Sequence, residues 1–236
     1  YAKRTGCCKG KGGSMHVGNL AKGMLPAIAI VGGNIPLAAG IGLAFRLQKT
    51  PKVAVSFFGD GAVSEGAFHE GVNLAAIWNL PVLFACENNR YGASTHVTKV
   101  SRRPSVAERA SAAYGIRAET VDGNDVVAVH EAARQAVAEC REGRGPVLLE
   151  LMTYRITGHS RRDPCHYQPK EEREEALRQE PIGRFGRRLL AERSDVCEAD
   201  LAAVRAVVDQ RLVAAIEVGR TAPPPRPEDV LTDVYA

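Results

Sequence analysis

The stretch from Val53 to Tyr91, VAVSFFGDGAVSEGAFHEGVNLAAIWNLPVLFACENNRY, sets two short apolar runs on either side of a helical segment. Val53 to Phe58 (VAVSFF) predicts a buried strand that stops at Gly59-Asp60-Gly61, and Pro81 to Cys86 (PVLFAC) predicts a second that stops at Glu87-Asn88-Asn89. Between them, Glu65 to Trp78 carries its apolar residues at helical spacing. Strand, helix and strand in this order form the unit of a parallel sheet. Runs that are apolar throughout, rather than alternating, predict a sheet covered on both faces.

The same alternation extends outward from this unit. Ile35 to Leu47 predicts a helix with Pro36 tolerated in its first turn. Further along come a helix over Val106 to Tyr114, a strand over Ile116 to Val121, a helix over Val126 to Arg141 and a strand over Val147 to Met152. Thr153 to Pro169 has no period and is rich in Arg, His, Asp, Gly and Pro, so it reads as a long ordered loop, a feature more often functional than not. Helices follow over Lys170 to Gln179, Ile182 to Arg193 and Glu198 to Glu217, and Thr221 to Ala236, with its PPPRP, reads as an extended arm lying on a partner or in solvent. The expectation is an α/β fold with a parallel sheet flanked by helices: one domain over residues 1–236, with a C-terminal helical extension from about residue 170 and a tail over 221–236.

The composition of the 236 residues is that of an ordinary globular chain, 45% hydrophobic and 25% charged. The net charge of +4 is spread along the sequence and offset locally by Glu171, Glu172, Glu174 and Glu175, so nothing points to nucleic acid. The longest apolar stretch, Leu25 to Phe45, is broken by Pro26, Gly32, Gly33, Asn34 and Pro36 and does not make a membrane span of ~20 residues. Cys7, Cys8, Cys86, Cys140, Cys165 and Cys197 show no metal-ligand spacing, and they read as reduced thiols of a cytoplasmic protein. The opening YAKRTGCCKGKGG has no initiator Met and no signal peptide, and it reads as mid-protein sequence with an N-terminal portion missing.

Ligands of an open parallel sheet bind beyond the carboxyl ends of its strands, and two strand ends here carry Asp60 and Asn88-Asn89. A dinucleotide fingerprint needs GxGxxG, whereas this turn reads Gly59, Gly61, Gly66 and holds a bare carboxylate. That charge repels a diphosphate unless a cation stands between them. Mg²⁺ takes one or two carboxylates together with phosphate oxygens, and the Asp60 carboxylate and Asn89 amide oxygen suit such a shell. Gly6 to Ser14 (GCCKGKGGS) fails as a Walker loop, because three residues rather than four separate Gly6 from Gly10 and Gly12 follows Lys11.

GDG followed by a paired Asn, with twenty-six residues between Gly61 and Asn88, resembles the thiamine diphosphate motif of thiamine-dependent enzymes. GCCKGKGGSMH, IVGGNIPLAAGIGLA, FFGDGAVSEGAFHEGVNLAAIWNLPVLFACENNRYG and TYRITGHSRRDPCHY extend the resemblance. Together they resemble the α subunit of the E1 component of 2-oxo acid dehydrogenase complexes, nearest the pyruvate and acetoin types, from Gly6 to the terminal DVYA. The resemblance implies a thiamine diphosphate-binding fold in which Asp60, Asn89 and the backbone carbonyl of Tyr91 bind Mg²⁺ and Gly61 and Ala62 approach the diphosphate. It implies that Ala29 and Val31 hold the aminopyrimidine, with Ala29 standing where Gly is common, and that His159 is the catalytic and cofactor-facing histidine beside Arg155 and Arg161. In the family a Tyr-Arg pair and a further His upstream of the GKGGSMH segment contribute to the cofactor and substrate site, and this sequence begins after that region.

The implied activity is oxidative decarboxylation of pyruvate or a related 2-oxo acid with acyl transfer to a lipoyl-bearing E2. The implied assembly is an α2β2 heterotetramer in which the β subunit supplies the glutamate that activates the aminopyrimidine. An acetoin dehydrogenase α subunit and a non-catalytic interaction subunit of the same fold are the alternatives. His159 would stabilise charge or move a proton near substrate or lipoyl thiol. Ser160 matches the serine phosphorylated in regulated members, where added charge would disturb the loop. His16 reads equally as a site residue or as packing under its glycine loop, and His69 reads as an interface or core residue.

Overall fold

β1 (Ala54–Gly59) and β2 (Val82–Asn88) pair in parallel, with Ala54 opposite Val82 and Gly59 opposite Glu87. In this computed structural model, which describes residues 1–233, β2 also pairs in parallel with β6 (Val147–Met152), and β6 with β5 (Arg117–Asp122). The sheet order is β1-β2-β6-β5. The expected α/β fold with a parallel sheet between helices is therefore present. Residues 234–236, the end of the expected tail and of its DVYA, lie outside the described residues.

Each strand sends alternate side chains to opposite faces. On one face Phe84, Cys86 and Leu148 meet α1 (Asn34–Leu47), α2 (Gly66–Ile77) and α3 (Val106–Tyr114), through Ile35, Ala39, Phe68, Val72, Val106 and Ala110. On the other face Leu83, Val147 and Leu149 meet Ala132, Ala136 and Cys140 of α4 (Val126–Arg141). Small residues on the helices let their backbones approach the sheet closely enough to bury Phe84 and Leu148 completely. The expectation of cover on both faces fails at β1. There α4 does not reach the edge strand, and Val55 and Phe57 are 43% and 62% exposed.

The caps are those the sequence offers. Ser105 accepts the Glu108 amide at the start of α3, and Asp125 accepts the Val127 and Ala128 amides at the start of α4. Gly115, in the left-handed region at φ 65°, ends α3. A hairpin of β3 (Tyr91–Gly92) and β4 (Thr95–His96), which two-residue strands kept out of the apolar pattern, follows β2 directly.

The chain divides into two compact units, Ile30–Phe185 and Tyr1–Ala29 with Gly186–Ala236. The first holds the sheet, α1 to α4 and α5 (Lys170–Arg178). α6 (Pro181–Glu192) begins in it, and α7 (Glu198–Thr221) belongs to the second. In the second unit the tail does not run free. The Arg4 amide donates to the Pro223 carbonyl at 3.0 Å, Arg4 pairs with Asp229, and Lys9 pairs with Asp233 at 2.7 Å. The arm expected to lie on a partner or in solvent thus lies along residues 3–11, and Pro227–Leu231 winds into a 3-10 turn closed by Asp229 on Arg226. All six cysteines are free thiols. Among the described residues no helix is long and apolar enough to cross a membrane.

Gly71 of α2 sits where the start of α1 crosses it. A Cβ there would meet the Pro36 nitrogen at 2.8 Å and Ile35 Cγ2 at 3.0 Å, whereas one added at Gly40 of α1 meets nothing within 4 Å. Alanine gains about 1 kcal/mol over glycine inside a helix, and overpacking costs about 1–3 kcal/mol. Gly71→Ala is therefore expected to melt below the wild type and Gly40→Ala above it, at ~2–4 °C per kcal/mol for a chain of this size. Thermal melts that rank Gly71→Ala at or above Gly40→Ala would refute this packing account.

Candidate functional site

β1 ends at Gly59, and Asp60–Ser64 turns as a 3-10 helix before α2 begins. Because Gly59 pairs with Glu87, Asp60 comes level with Asn88 at the carboxyl end of β2. Asp60 Oδ1 accepts the Asn89 backbone amide at 3.2 Å. The Asn89 side-chain oxygen accepts the Tyr91 amide at 3.1 Å, and that of Asn88 accepts the Arg90 amide at 3.0 Å. Arg90 takes the left-handed conformation, φ 68°, that this tight turn requires. Gly61 then lies back to back with Gly92, where a Cβ on either would come within 3.1 to 3.2 Å of the other's Cα. The glycine of the turn thus serves close packing against the hairpin.

Asp60 is 5% exposed. Burial raises its pKa, and the Asn89 amide and the positive charges of Arg155 and His96 offset this only in part. It forms no ion pair among the described residues. Two neutral oxygens belong to the turn that follows: the Asn89 amide oxygen, which accepts the Tyr91 amide, and the Tyr91 carbonyl, which accepts from Arg155. A desolvated carboxylate short of positive charge, with neutral oxygens beside it, suits a small divalent cation that keeps other oxygens from water or phosphate. Among the described residues no three His, Cys, Asp or Glu side chains converge on a metal position, so a cage of charged ligands is absent.

The loop after β6 reaches the same turn. The Thr153 amide donates to the Asn88 carbonyl at 2.9 Å. Arg155 donates to the Tyr91 carbonyl at 3.4 Å, the Ala93 carbonyl at 2.6 Å and the Tyr167 hydroxyl at 2.9 Å, and it stands 3.3 Å from His159 Nδ1. Asp163 closes the loop by accepting from the His159 amide, the Cys165 amide and the Tyr167 hydroxyl. Those bonds, Tyr167's foremost, hold its carboxyl down at about 2. A Cβ on Gly158 would collide with the Asp163 carbonyl, which is why glycine precedes the histidine. The Tyr91 hydroxyl donates to Glu172 of α5 at 3.1 Å, and burial with that carboxylate raises it to about 12.

Asp60, Asn89, Tyr91 and His159 are thus joined through Arg155, with Gly61 and the buried Ala62 on the same turn. Val31 is 58% exposed, and its neighbour Gly32 packs on Glu65 and the Ala62 carbonyl. Ala29 is exposed and belongs to the other compact unit. His16 is exposed and accepts the Gly13 amide on its own loop, and His69 meets the Tyr114 hydroxyl. Ser160 is exposed beside Arg161 and Arg162. Sequence reasoning missed Asp163, Tyr167 and Glu172, whose one signal was their place in or just after the aperiodic loop.

Residues 1–228 match the family model described as dehydrogenase E1 component. The chain belongs to that family. It is 45% identical over 235 residues to the acetoin:2,6-dichlorophenolindophenol oxidoreductase subunit α of Bacillus subtilis, and 40% identical to the subunit of the same name from Cupriavidus necator. Each match covers 100% of this chain and 70% of the relative. The mitochondrial pyruvate dehydrogenase E1 component subunit α of Dictyostelium discoideum is 39% identical over 99% of this chain and 61% of its own length. The chain is an E1 α-type subunit, a kind that pairs with β subunits.

In this E1 α-type chain, a raised Asp60 makes the folded state the better proton binder. Its contribution to stability is present at low pH and is lost as pH rises through the folded-state value. Asp60→Asn keeps the oxygen that accepts the Asn89 amide and removes the buried charge. The metal-free variant is therefore expected to melt above the wild type at pH 7, with the difference shrinking as pH falls and vanishing only below the ordinary Asp value of 3.8. Melts across that range, with chelator present, check it. A variant no more stable at pH 7 would show that the buried charge carries no cost.

Proposed function

We propose that this chain is the α subunit of a thiamine diphosphate-dependent E1 component that acts with a β subunit in an α2β2 assembly. The reaction proposed is oxidative decarboxylation of pyruvate or a related 2-oxo acid, with the acyl group passed to a lipoyl-bearing E2. Acetoin as substrate is the second reading, favoured by the matches at 45% and 40% identity to acetoin-oxidising subunits. The observation that carries the proposal is the buried Asp60 carboxylate, which accepts the Asn89 amide while the Asn89 side-chain oxygen accepts the Tyr91 amide in the same turn.

Asp60, Asn89 and the Tyr91 carbonyl would hold Mg²⁺, and the turn at Gly61 and Ala62 would meet the diphosphate, with Val31 on the aminopyrimidine. Thiamine diphosphate supplies an electron sink for a carbanion formed next to a carbonyl. His159 is exposed, with its backbone tied to Asp163 and Arg155 beside its Nδ1, so its ring is held in place yet open to substrate. An imidazole so placed can exchange a proton with a bound substrate or hydrogen-bond to it.

Calorimetric titration of thiamine diphosphate with Mg²⁺ into the chain, with and without its β subunit, tests the binding. Turnover assays on pyruvate, branched-chain 2-oxo acids and acetoin test the reaction. Binding and turnover only with β present are expected, and the preferred substrate decides between the two readings. Absence of binding under every pairing would leave a non-catalytic interaction subunit. Asp60→Ala is expected to abolish Mg²⁺-dependent binding. His159→Ala is expected to lower turnover by ~10²–10⁴, the range of general acid–base catalysis, with cofactor affinity nearly unchanged. Equal loss of both would move His159 from chemistry to binding.

A further inference from the structure

We infer that Glu150 is a positioning residue for the Asn88-Asn89 turn: its buried carboxylate fixes which way round the Asn88 amide sits, and that amide holds the turn presenting Asn89 and the Tyr91 carbonyl. The functional consequence rests on the proposed reading of that turn as a metal-binding set, whereas the positioning itself does not.

Glu150 is 1% exposed, near the end of β6, where the strand is otherwise apolar. Among the described residues it has no cation as partner and is surrounded by donors. Oε1 accepts from Asn88 Nδ2 at 2.6 Å and the Val106 amide at 3.0 Å. Oε2 accepts from the Ser105 hydroxyl, the Ala107 amide and the Thr120 hydroxyl, each at 3.0 Å. Burial pushes its carboxyl up, but the Ala107 and Val106 amides, with Asn88 and Ser105, outweigh it and hold the group below its ordinary value. Capping of α3, whose Val106 and Ala107 amides it accepts while Ser105 takes that of Glu108, accounts for part of this set of bonds but not for the one to Asn88.

The polarity of the groups explains it. A carboxylate only accepts, so the end of the Asn88 side chain that faces Glu150 must be its NH2. The other end, the oxygen, is then free to accept the Arg90 amide at 3.0 Å. Turned round, the amide would set NH2 against the Arg90 N–H, donor against donor. Arg90 would lose the bond that holds its left-handed conformation. The Tyr91 amide on Asn89 and the Asn89 amide on Asp60 follow from that turn. An apolar residue at 150 would fill the space and leave both the Asn88 NH2 and the amides of Val106 and Ala107 unpaired.

Three variants of the full chain assembled with its β subunit test this: Asn88→Asp, Glu150→Gln and the two together. Asn88→Asp sets carboxylate against carboxylate. In the double variant the Gln amide donates to the new carboxylate, whose second oxygen accepts the Arg90 amide, so the link between 88 and 150 is re-formed with its direction reversed and the Arg90 acceptor is kept, although the Val106 amide loses its acceptor. Hydrogen exchange of the cofactor-free protein over residues 87–92 is expected to quicken at least about tenfold in Asn88→Asp, as for a lost bond to a charged group. In the double variant it is expected to return close to the wild-type rate, while β1 and α2 stay protected throughout. Mg²⁺-dependent thiamine diphosphate affinity is expected to fall and recover in the same order, even though the double variant melts below the wild type. If Asn88→Asp fails to fold, folding of the double variant alone carries the same conclusion. Additive damage in the double variant, its failure to fold, or unchanged exchange over 87–92 in Asn88→Asp would overturn the proposal. A wild type that binds no cofactor would overturn the functional reading instead, and the exchange data would still decide the role of Glu150.

Discussion

Parallel pairing of β1, β2, β6 and β5 brings all four carboxyl ends to one side of the sheet, and the polar architecture of the chain depends on that constraint. Antiparallel neighbours would have scattered Asp60, Asn88 and Thr153 to opposite ends. The register instead sets Asn88 and Asp122 opposite Met152, and Asp60 one residue beyond the Gly59–Glu87 pair. Strand ends have backbone groups that the ladder no longer satisfies. Here side chains take over: Asp60, Asn88 and Asn89 each accept a backbone amide at the end of β2.

Two buried carboxylates at this end are treated in opposite ways. Glu150 receives five donors, and its pKa falls despite burial; Asp60 receives one amide at Oδ1, and its pKa rises. Desolvation acts on both, so the number of hydrogen bonds to the charged form decides the sign. The difference separates a group that completes the fold from one that the fold leaves wanting a positive charge. A burial pattern alone would have grouped them together.

Much of this was legible in the sequence, because apolar runs and helical periods are local. The six-residue β6 and the bounds of α3 and α4 lie where the pattern set them, and so do Asp60 and Asn89 at adjacent strand ends. What was not legible depends on partners distant in the chain. Glu150 reads as an ordinary polar residue in LLELM until β5, α3 and the end of β2 converge on it. The exposed face of β1 was hidden too, since VAVSFF looks like a central strand and only the reach of α4 shows that it is not. The tail misled for a third reason: PPPRP suggests an extended arm, but Arg4 and Asp229, and Lys9 and Asp233, are oppositely charged pairs whose meeting no period encodes.

The loop that carries His159 gains its order from the strand ends rather than from a structure of its own. Arg155 follows the end of β6 by three residues, which places its guanidinium within reach of the Tyr91 carbonyl, the Ala93 carbonyl and the Tyr167 hydroxyl at once. A planar fork with five N–H donors can bridge such a set, whereas a lysine at the same position presents a single point of charge. The guanidinium also approaches His159, so the turn that holds Asn89 and the loop that holds the histidine share one rigid link. Asp163 then fixes the histidine's backbone from the far side, through a bond to its amide and another to Tyr167, the residue that Arg155 also grips. The two segments are therefore tied to each other through these bonds rather than through adjacency in the chain. That mechanical coupling, built from one arginine, one aspartate and one tyrosine, is what turns two separate strand ends into a single site.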